Sequence, residues 1–394
     1  MFEALQTELR HFLKDKFLLF MCFVMPLLTA SFVYMTLSES IVRALPVGIV
    51  DFDNSQTSRN IAFNVESSAT LTIQSRYNSV LEAKDAISKK DIYALIVLPK
   101  DLEKNAKKGI PTNLPIYYNA ELVFIGKNIQ SALMQILANE NVKLKFSKNI
   151  ASSANTTLAM GKSVDILPQI IALYNPNSDF AAFILPALIP CLWQLFIILC
   201  MIGFMAQSER DSNQNVKRDV GHILNKQNKI RAFYAHLSIK VLLNTVIFFA
   251  WWGIFMLSFY RLGFISDISG DNFTIRLATI ALCAFVTIIA YSSIGIFLYA
   301  LIRSHTRAIS IAAVYAAPRL AFVGITYPIN NMEAFATFWS KILPITKYLE
   351  VYMQQTNYGL EPHFSMRFIA YNLIFLLFGI LGILIYKQKA VLNA

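Results

Sequence analysis

Long apolar runs constrain this chain of 394 residues more than any other feature of its sequence. A helix needs about 20 predominantly apolar residues to cross a hydrocarbon core of about 30 Å. Five runs meet that length: 17–37, 180–206, 241–260, 277–302 and 368–386. A sixth, 308–327, is apolar except for Arg319. Charged residues make up only 15% of the chain, against about 25% in soluble domains. The sequence therefore predicts an α-helical polytopic membrane protein with six transmembrane helices.

The first run and the segment before it are both predicted to lie at the membrane. Residues 1–16 carry apolar side chains at helical spacing, which predicts an amphipathic helix along the membrane surface. These side chains are Phe2, Leu5, Leu9, Phe12 and Leu13. The run 17–37 is too long for the apolar core of a signal peptide, and no small-residue cleavage pattern follows it before Ile41. It is therefore predicted to remain as the first transmembrane helix.

Lysine and arginine in the short loops predict the orientation, because cytoplasmic loops carry the excess of these residues. One side holds Arg10, Lys14, Lys16, Arg210, Lys217, Arg218, Lys226, Lys229, Arg231, Lys240, Arg303, Arg307, Lys387 and Lys389. The other holds Arg261, Arg276, Lys341, Lys347 and Arg367. Fourteen against five predicts that both termini are cytoplasmic and that residues 38–178 lie outside. This bias accounts for most of the net charge of +11, so no nucleic acid partner is predicted.

Residues 38–178 are predicted to form an inserted extracytoplasmic α/β domain. Short apolar runs of the kind found in buried strands occur at 46–52, 71–73, 93–98 and 114–118. Helical patterns follow them at 58–67, 80–88, 101–108 and 121–155. This alternation predicts a small sheet covered by helices.

Motifs for catalysis or metal binding are not found. The stretch 156–163 ends in Gly-Lys-Ser, as a phosphate-binding loop does, but Thr156 stands where that motif needs glycine. The five histidines are scattered without ligand spacing. All four cysteines fall in apolar runs, where buried packing is expected: Cys22, Cys191, Cys200 and Cys283. The chain is therefore predicted to have no enzyme active site, cofactor or metal of its own.

Acidic residues are absent from the six predicted spans. Carriers driven by ion gradients usually bind the coupling ion with carboxylates inside the bilayer. A secondary carrier is therefore disfavoured, and the energy for transport is expected to come from elsewhere.

The sixth run holds the only charge predicted to be buried, Arg319. Pro318 should break the helix there, and Gly324 and Pro328 weaken the rest of the run. Arg319 either snorkels or caps the broken helix end, or it lines a substrate path or gate. Residues 329–350 then have helical apolar spacing but are too polar and short to span, which predicts a helix at the outer interface or dipping back in. Its apolar residues are Met332, Phe335, Phe338, Trp339, Ile342 and Leu343. Simple membrane anchoring is the alternative role.

A polar segment over 207–235 separates the second and third runs. Within it, apolar residues recur at helical spacing and form a stripe on an otherwise charged helix: Val216, Val220, Ile223 and Leu224. A merely solvated linker would not need that stripe. The pattern favours a docking surface for another protein over a passive loop.

Three stretches carry a family resemblance. They are Val47-Gly-Ile-Val-Asp-Phe-Asp-Asn-Ser-Gln-Thr-Ser-Arg59, Tyr174-Asn-Pro-Asn177, and Phe322-Val-Gly-Ile-Thr-Tyr-Pro-Ile329 followed by Leu343-Pro-Ile-Thr-Lys-Tyr-Leu-Glu350. In this order they resemble the permease subunits of type-2 ABC exporters (ABC-2 type), in the branch with a large extracytoplasmic domain after the first transmembrane helix. Leu343 departs from the family, where asparagine is commoner. The resemblance covers essentially the whole chain. It implies a five-helix transmembrane domain over 179–394, with a coupling loop at 207–235 and an outer gate helix region at 329–350.

The resemblance also implies the partners. Two permease chains pair, as a homo- or heterodimer, and each docks a separate cytoplasmic ABC ATPase subunit, which binds ATP and Mg. Glu209 and Arg210 match the start of the family's coupling segment, whereas Asp211 and Ser212 depart from its next residues. Members of this branch are similar to exporters that work with a periplasmic adaptor and an outer-membrane channel. The outer domain would then bind the adaptor or the substrate; alternatively, it shields the exit or stabilises the dimer.

These features together predict the membrane subunit of an ATP-driven exporter in the bacterial inner membrane. Its pathway or gate residues would be Pro318, Arg319, Gly324, Pro328, Phe335 and Trp339. The apolar spans, rich in phenylalanine, favour an amphipathic or hydrophobic substrate such as a drug, a lipid or a lipid-linked product, with membrane lipid around them. A membrane-anchored receptor or assembly protein without transport is the alternative. That alternative explains the outer domain but not the broken span and the amphipathic helix after it.

Overall fold

Two units make up the chain. The first comprises Met1–Glu39 and Ala181–Ala394, and the second comprises Ser40–Phe180. A computed structural model describes residues 2–37, 43–108, 110–119, 123–153, 179–216, 226–265, 273–325, 329 and 332–392. The stretches 156–163 and 174–177, both singled out in the sequence, lie outside these residues.

The first unit begins with two helices, α1 (Phe2–Lys14) and α2 (Lys16–Leu37), the latter with one π-helical turn at Phe20–Val24. Asp15 separates them, because its carboxylate accepts hydrogen bonds from the backbone N–H groups of Phe17 and Leu18 and so caps α2. The structure places a helix within the predicted segment 1–16. The apolar stripe predicted to lie on the membrane surface includes both buried and exposed residues. Glu8 and Phe12 are buried, whereas Leu9 and Leu13 are exposed.

The second unit is a four-stranded sheet with helices, as predicted. In chain order its elements are β1 (Leu45–Asp51), α3 (Gln56–Glu66), β2 (Leu71–Arg76), α4 (Val80–Ser88), β3 (Ala94–Leu98), α5 (Leu102–Lys108), β4 (Ile116–Tyr118) and α6 (Val123–Ser153). The strand order is β2-β1-β3-β4. β1 pairs in parallel with β2 and β3, and β4 is antiparallel to β3. Each strand and helix predicted for this region is confirmed to within a few residues.

Both faces of this sheet are covered. Alternate residues of a strand point to opposite faces, so Val47 and Ile49 of β1 pack with α3 and α6, while Val50 packs beneath α4. β3 is buried along its whole length, which explains why it appears in the sequence as a continuous apolar run. Burial of both faces therefore accounts for the fold of this unit.

The stretch 47–59, which carries part of the family resemblance, takes part in hydrogen bonds at the starts of two helices. The Asp53 carboxylate accepts hydrogen bonds from the backbone N–H groups of Leu102 and Glu103, where α5 begins. The Glu103 carboxylate in turn accepts one from the N–H of Gln56, where α3 begins. A hydrogen bond from Lys107 holds the pKa of Glu103 below its usual value, so this carboxylate is charged at neutral pH. The stretch that carries part of the family resemblance thus has a structural role in helix capping.

Replacing Asp53 with alanine is expected to loosen the start of α5 by about 2 kcal/mol, since two backbone N–H groups lose a charged acceptor. Hydrogen exchange of the Leu102 and Glu103 amides in the full-length protein measures this directly. Asp91→Ala removes an exposed acid of the same unit and is the control. Equal protection of these amides in Asp53→Ala and the native chain would contradict the capping role.

The rest of the first unit is helical: α7 (Phe180–Val216), α8 (Lys226–Arg261), α9 (Phe273–Ile302), α10 (His305–Ala316), α11 (Arg319–Phe322), α12 (Ala334–Ile342), α13 (Pro344–Thr356), α14 (Pro362–Leu373) and α15 (Leu376–Leu392). Within the described parts of the chain, five segments are long and apolar enough to cross a membrane. They are Lys16–Leu37, Phe180–Gln207, Phe233–Arg261, Phe273–Ile302 and Pro362–Lys387, the last formed by α14 and α15. They coincide with the five long runs in the sequence, and their hydropathy supports a polytopic membrane protein.

The sixth predicted span, 308–327, is not one continuous helix. α10 has 12 residues, or about 18 Å, which is shorter than a hydrocarbon core. The break falls at Pro318, as predicted, because proline cannot donate the next helical hydrogen bond. Gly324 then adopts a left-handed φ of 92°, and an added Cβ there would lie 2.5 Å from Cγ1 of Ile329. The sixth predicted span is therefore a broken segment, and it is not among the five segments of the described chain that are long and apolar enough to cross a membrane.

The polar segment predicted as a loop over 207–235 is helical at both ends. α7 continues beyond the apolar run to Val216, and α8 already begins at Lys226. No proline interrupts α7 after Pro190, and extending an existing helix is easier than nucleating a new one. Polarity in this segment therefore marks the end of the span and not the end of the helix.

Candidate functional site

Buried polar side chains join the helices of the first unit around α9. Asn244 of α8 donates one hydrogen bond to Oγ of Ser292, at 2.9 Å, and another to the carbonyl of Ile197 in α7, at 3.3 Å. Asn244 and Ser292 are both buried. Because both side chains are removed from solvent, these bonds hold α7, α8 and α9 together at one level of the bundle.

A second set of hydrogen bonds joins α9 to α13 and α14. Nδ2 of Asn372 donates to Oγ1 of Thr287 at 3.0 Å and to the carbonyl of Pro344 at 3.1 Å. The hydroxyl of Tyr291 accepts a hydrogen bond of 2.9 Å from the backbone N–H of Ile345. Pro344 and Ile345 begin α13, so α9 contacts the first turn of that helix directly through Tyr291 and indirectly through Asn372, which also bonds to Thr287.

The second half of the region predicted as an interfacial helix is enclosed by other helices. The region 329–350 is divided at Leu343, where α12 ends and α13 begins. Tyr348 of α13 is buried, accepts a 3.0 Å hydrogen bond from Nε1 of Trp252, and lies against the ring of Trp193. Burial raises the pKa of the Tyr348 phenol well above its ordinary value, so this hydroxyl stays neutral. α13 is therefore part of the core of the bundle.

α10, α11 and α12 form a helical hairpin. The hydroxyl of Tyr315 in α10 donates a 2.7 Å hydrogen bond to the carbonyl of Ile342, at the end of α12. Near the turn, the rings of Phe322 and Phe335 meet edge to face with centroids 6.3 Å apart. Phe335 nevertheless stays 68% exposed. The hairpin thus presents an aromatic side that nothing in the described chain covers.

The predicted gate residues map onto this hairpin. Pro318 and Arg319 lie at its break, Gly324 at its turn, and Phe335 and Trp339 on α12, whereas Pro328 lies outside the described residues. Nη1 of Arg319 donates a 2.7 Å hydrogen bond to the carbonyl of Ala316, the last residue of α10. This contact is the capping interaction considered in the sequence.

A buried ion pair that the sequence did not predict joins α1 to α8. Nζ of Lys240 lies 3.5 Å from Oε2 of Glu8, and Nδ1 of His236 lies 2.8 Å from Oε1 of the same carboxylate. Glu8 is 5% exposed and Lys240 is 2% exposed. Arg319 itself is only half-buried, so the prediction that it is the one buried charge is wrong. The signal was hidden because Lys240 directly precedes an apolar run and was assigned to a loop, whereas α8 begins well before it.

The same contacts reach the end of α7. Lys240 also donates a 2.8 Å hydrogen bond to the carbonyl of Phe204, and Nε2 of Gln207 donates one of 2.8 Å to the carbonyl of His11. The helix that enters the polar segment and the helix that leaves it are therefore both held to α1. We refer to Glu8, His236 and Lys240 as the α1 clamp.

The predicted coupling residues lie beyond this clamp. The backbone of Glu209, Arg210 and Val216 belongs to the extension of α7. Val220, Ile223 and Leu224 lie outside the described residues. Their role as a docking stripe stays a prediction.

Comparison with known proteins gives one family. The sequence model described as ABC-2 family transporter protein matches residues 16–386, a stretch that runs through both units. No curated protein and no solved structure gives a significant match.

Proposed function

Because the chain belongs to the ABC-2 family of transporter proteins, we propose that it is the permease subunit of an ABC exporter in the bacterial inner membrane. Its substrate is amphipathic or hydrophobic, namely a drug, a lipid or a lipid-linked product. Two such chains, identical or paralogous, form the pathway. Each chain docks a cytoplasmic ABC ATPase subunit, which binds ATP and Mg and supplies the energy.

The orientation follows from the excess of lysine and arginine at one end of the spans. Both termini, α1 and the segment between α7 and α8 face the cytoplasm, and the second unit lies outside. In that position the second unit binds a periplasmic adaptor or receives the substrate.

One observation supports this mechanism above the others: buried hydrogen bonds lead without interruption from α8 to the start of α13. Asn244 holds α8 to α9, and Tyr291 of α9 holds Ile345 of α13. Movement imposed on the segment between α7 and α8 would therefore be passed through α9 to the helices near the gate. The α1 clamp keeps the two helices that enter and leave that segment moving together.

The gate in this proposal is the hairpin of α10, α11 and α12. Its break at Pro318 and its turn at Gly324 give it two points at which the backbone can bend, and its exposed aromatic side offers apolar contact to a substrate or to the paired chain. Arg319 follows Pro318, the first of these two points along the chain. There its charge would meet the polar head of an amphipathic substrate.

Co-purification tests the coupling proposal. The tagged chain is purified from its native host in mild detergent beside Val220→Asp/Leu224→Asp, which places two charges in the apolar stripe. We expect a nucleotide-binding ATPase to accompany the native chain and to be lost from the variant. The matched control is Gln214→Asp/Asn225→Asp, which adds the same charge at positions that a helix would place opposite the stripe, and it should retain the ATPase.

Two results would point elsewhere. If no ATPase accompanies the native chain under conditions that preserve other complexes, the chain is better explained as a membrane-anchored receptor or assembly protein. If transport occurs but stops with a proton uncoupler while ATP is held constant, the chain acts as a secondary carrier. Retention of the ATPase by both variants would remove the stripe as its docking surface.

A further inference from the structure

A cavity of about 310 Å³ lies in the first unit where three candidate spans end. Its described lining comes from three places: Asp15, Phe17 and Leu18 at the start of α2, Gly203 and Ala206 near the end of the α7 span, and His305 at the start of α10. The span of α2 begins at Lys16, that of α7 ends at Gln207, and α9 ends at Ile302. The cavity is therefore at the level where the hydrocarbon core gives way to water.

The chemistry of this cavity changes from one side to the other. Asp15 is the acidic group among the lining residues that the structure describes, and capping α2 occupies only its Oδ1 atom in the described hydrogen bonds. Leu18, Gly203 and Ala206 supply an apolar wall. The rings of Phe17 and His305 meet edge to face with centroids 6.4 Å apart and border the opening.

Basic residues are close in sequence to two of the lining residues, Asp15 and His305. Lys14 and Lys16 are the sequence neighbours of Asp15, and Arg307 follows His305 by two residues; all three are exposed. A ligand that suits both the carboxylate and this basic border must carry a cation and an anion next to each other. A ligand that also suits the wall must carry an apolar part. A purely anionic lipid satisfies the border but meets repulsion from Asp15.

We propose that this cavity is a binding site for the headgroup of an aminophospholipid, such as phosphatidylethanolamine. The primary ammonium group donates to the Asp15 carboxylate, the phosphate faces Lys14, Lys16 and Arg307, and the first part of the acyl chains lies on the wall of Leu18 and Ala206. The described gate residues Pro318, Arg319, Gly324, Phe335 and Trp339 do not line this cavity, although His305 begins α10 of the same hairpin. The proposal does not depend on which way the chain is inserted.

Asp15→Asn gives a direct test, because asparagine caps a helix about as well as aspartate and so removes the charge while keeping α2 in place. Lipid titrations of the full-length protein in detergent, followed by native mass spectrometry, compare dioleoyl phosphatidylethanolamine with dioleoyl phosphatidylglycerol. We expect the native chain to bind the aminophospholipid about tenfold more tightly, the effect of one charge-assisted hydrogen bond. Asp15→Asn should lose that preference, and Asp85→Asn, at an exposed acid of α4, should keep it.

Two further experiments test how much the acyl chains contribute to binding beside the headgroup. Ala206→Leu should weaken the binding of both lipids, because the larger side chain occupies part of the cavity at its apolar wall. Soluble phosphoethanolamine should bind much more weakly than the lipid, since it lacks the acyl part. Equal affinity of the native chain for the two lipids, an unchanged preference in Asp15→Asn, or phosphoethanolamine binding as tight as that of the lipid would each overturn the proposal.

Discussion

Glu8→Gln is expected to destabilise the first unit by about 3 kcal/mol, the usual effect of removing one partner of a buried ion pair. The variant removes the Glu8 charge from beside the Lys240 ammonium, which is only 2% exposed. The cost comes from the uncompensated charge more than from the lost attraction, because the carboxylate and the ammonium were both already removed from water. The measurement is the thermal unfolding midpoint of the full-length protein in detergent.

A double substitution separates these two contributions. Glu8→Leu/Lys240→Met replaces both charges with apolar side chains of similar size, and it should recover most of the stability that Glu8→Gln loses. Asp85→Asn breaks an exposed pair with Lys89 and should leave the midpoint unchanged. If Glu8→Gln also leaves it unchanged, or if the double variant is less stable than the single one, the α1 clamp does not contribute to the fold as described.

Arg319→Leu is expected to abolish export while the ATPase still co-purifies with the chain. Leucine keeps an apolar side chain at the break in the hairpin, but it removes the only charge predicted to meet the substrate there. The capping bond to the Ala316 carbonyl is lost as well, at about 2 kcal/mol for a hydrogen bond from a charged group. The measurement is ATP-dependent transport of a fluorescent amphipathic substrate in proteoliposomes, with the unfolding midpoint recorded beside it.

The conservative variant distinguishes the two roles of this arginine. Arg319→Lys keeps the charge but not the planar guanidinium, so a pathway role predicts partial export at near-native stability. A capping role alone predicts a lower midpoint in Arg319→Leu with full export by the fraction that stays folded. Unchanged export by Arg319→Leu would mean that this residue caps the helix and has no role in the pathway.

Much of the architecture could be predicted because it depends on local patterns. The five long spans correspond to uninterrupted apolar runs, whose length relates directly to membrane thickness. The strands and helices of the second unit were visible because burial on both faces of a sheet leaves a continuous apolar run, and turn residues separate one run from the next. The proline break at 318 was visible for the same reason, since proline acts on its own backbone.

The contacts between helices were decided by the tertiary structure. Glu8 and Lys240 are far apart in the chain, and no sequence pattern around either residue indicates that the two form an ion pair. The hydroxyls of Tyr291 and Ser292 look like ordinary interruptions of an apolar span until α13 and α8 are packed against them. Hydropathy by itself determined which segments leave water, because that depends on side chains summed along the chain. Only packing decided which polar groups meet inside the bundle, because a hydrogen bond requires two atoms within about 3 Å, and folding alone brings them there.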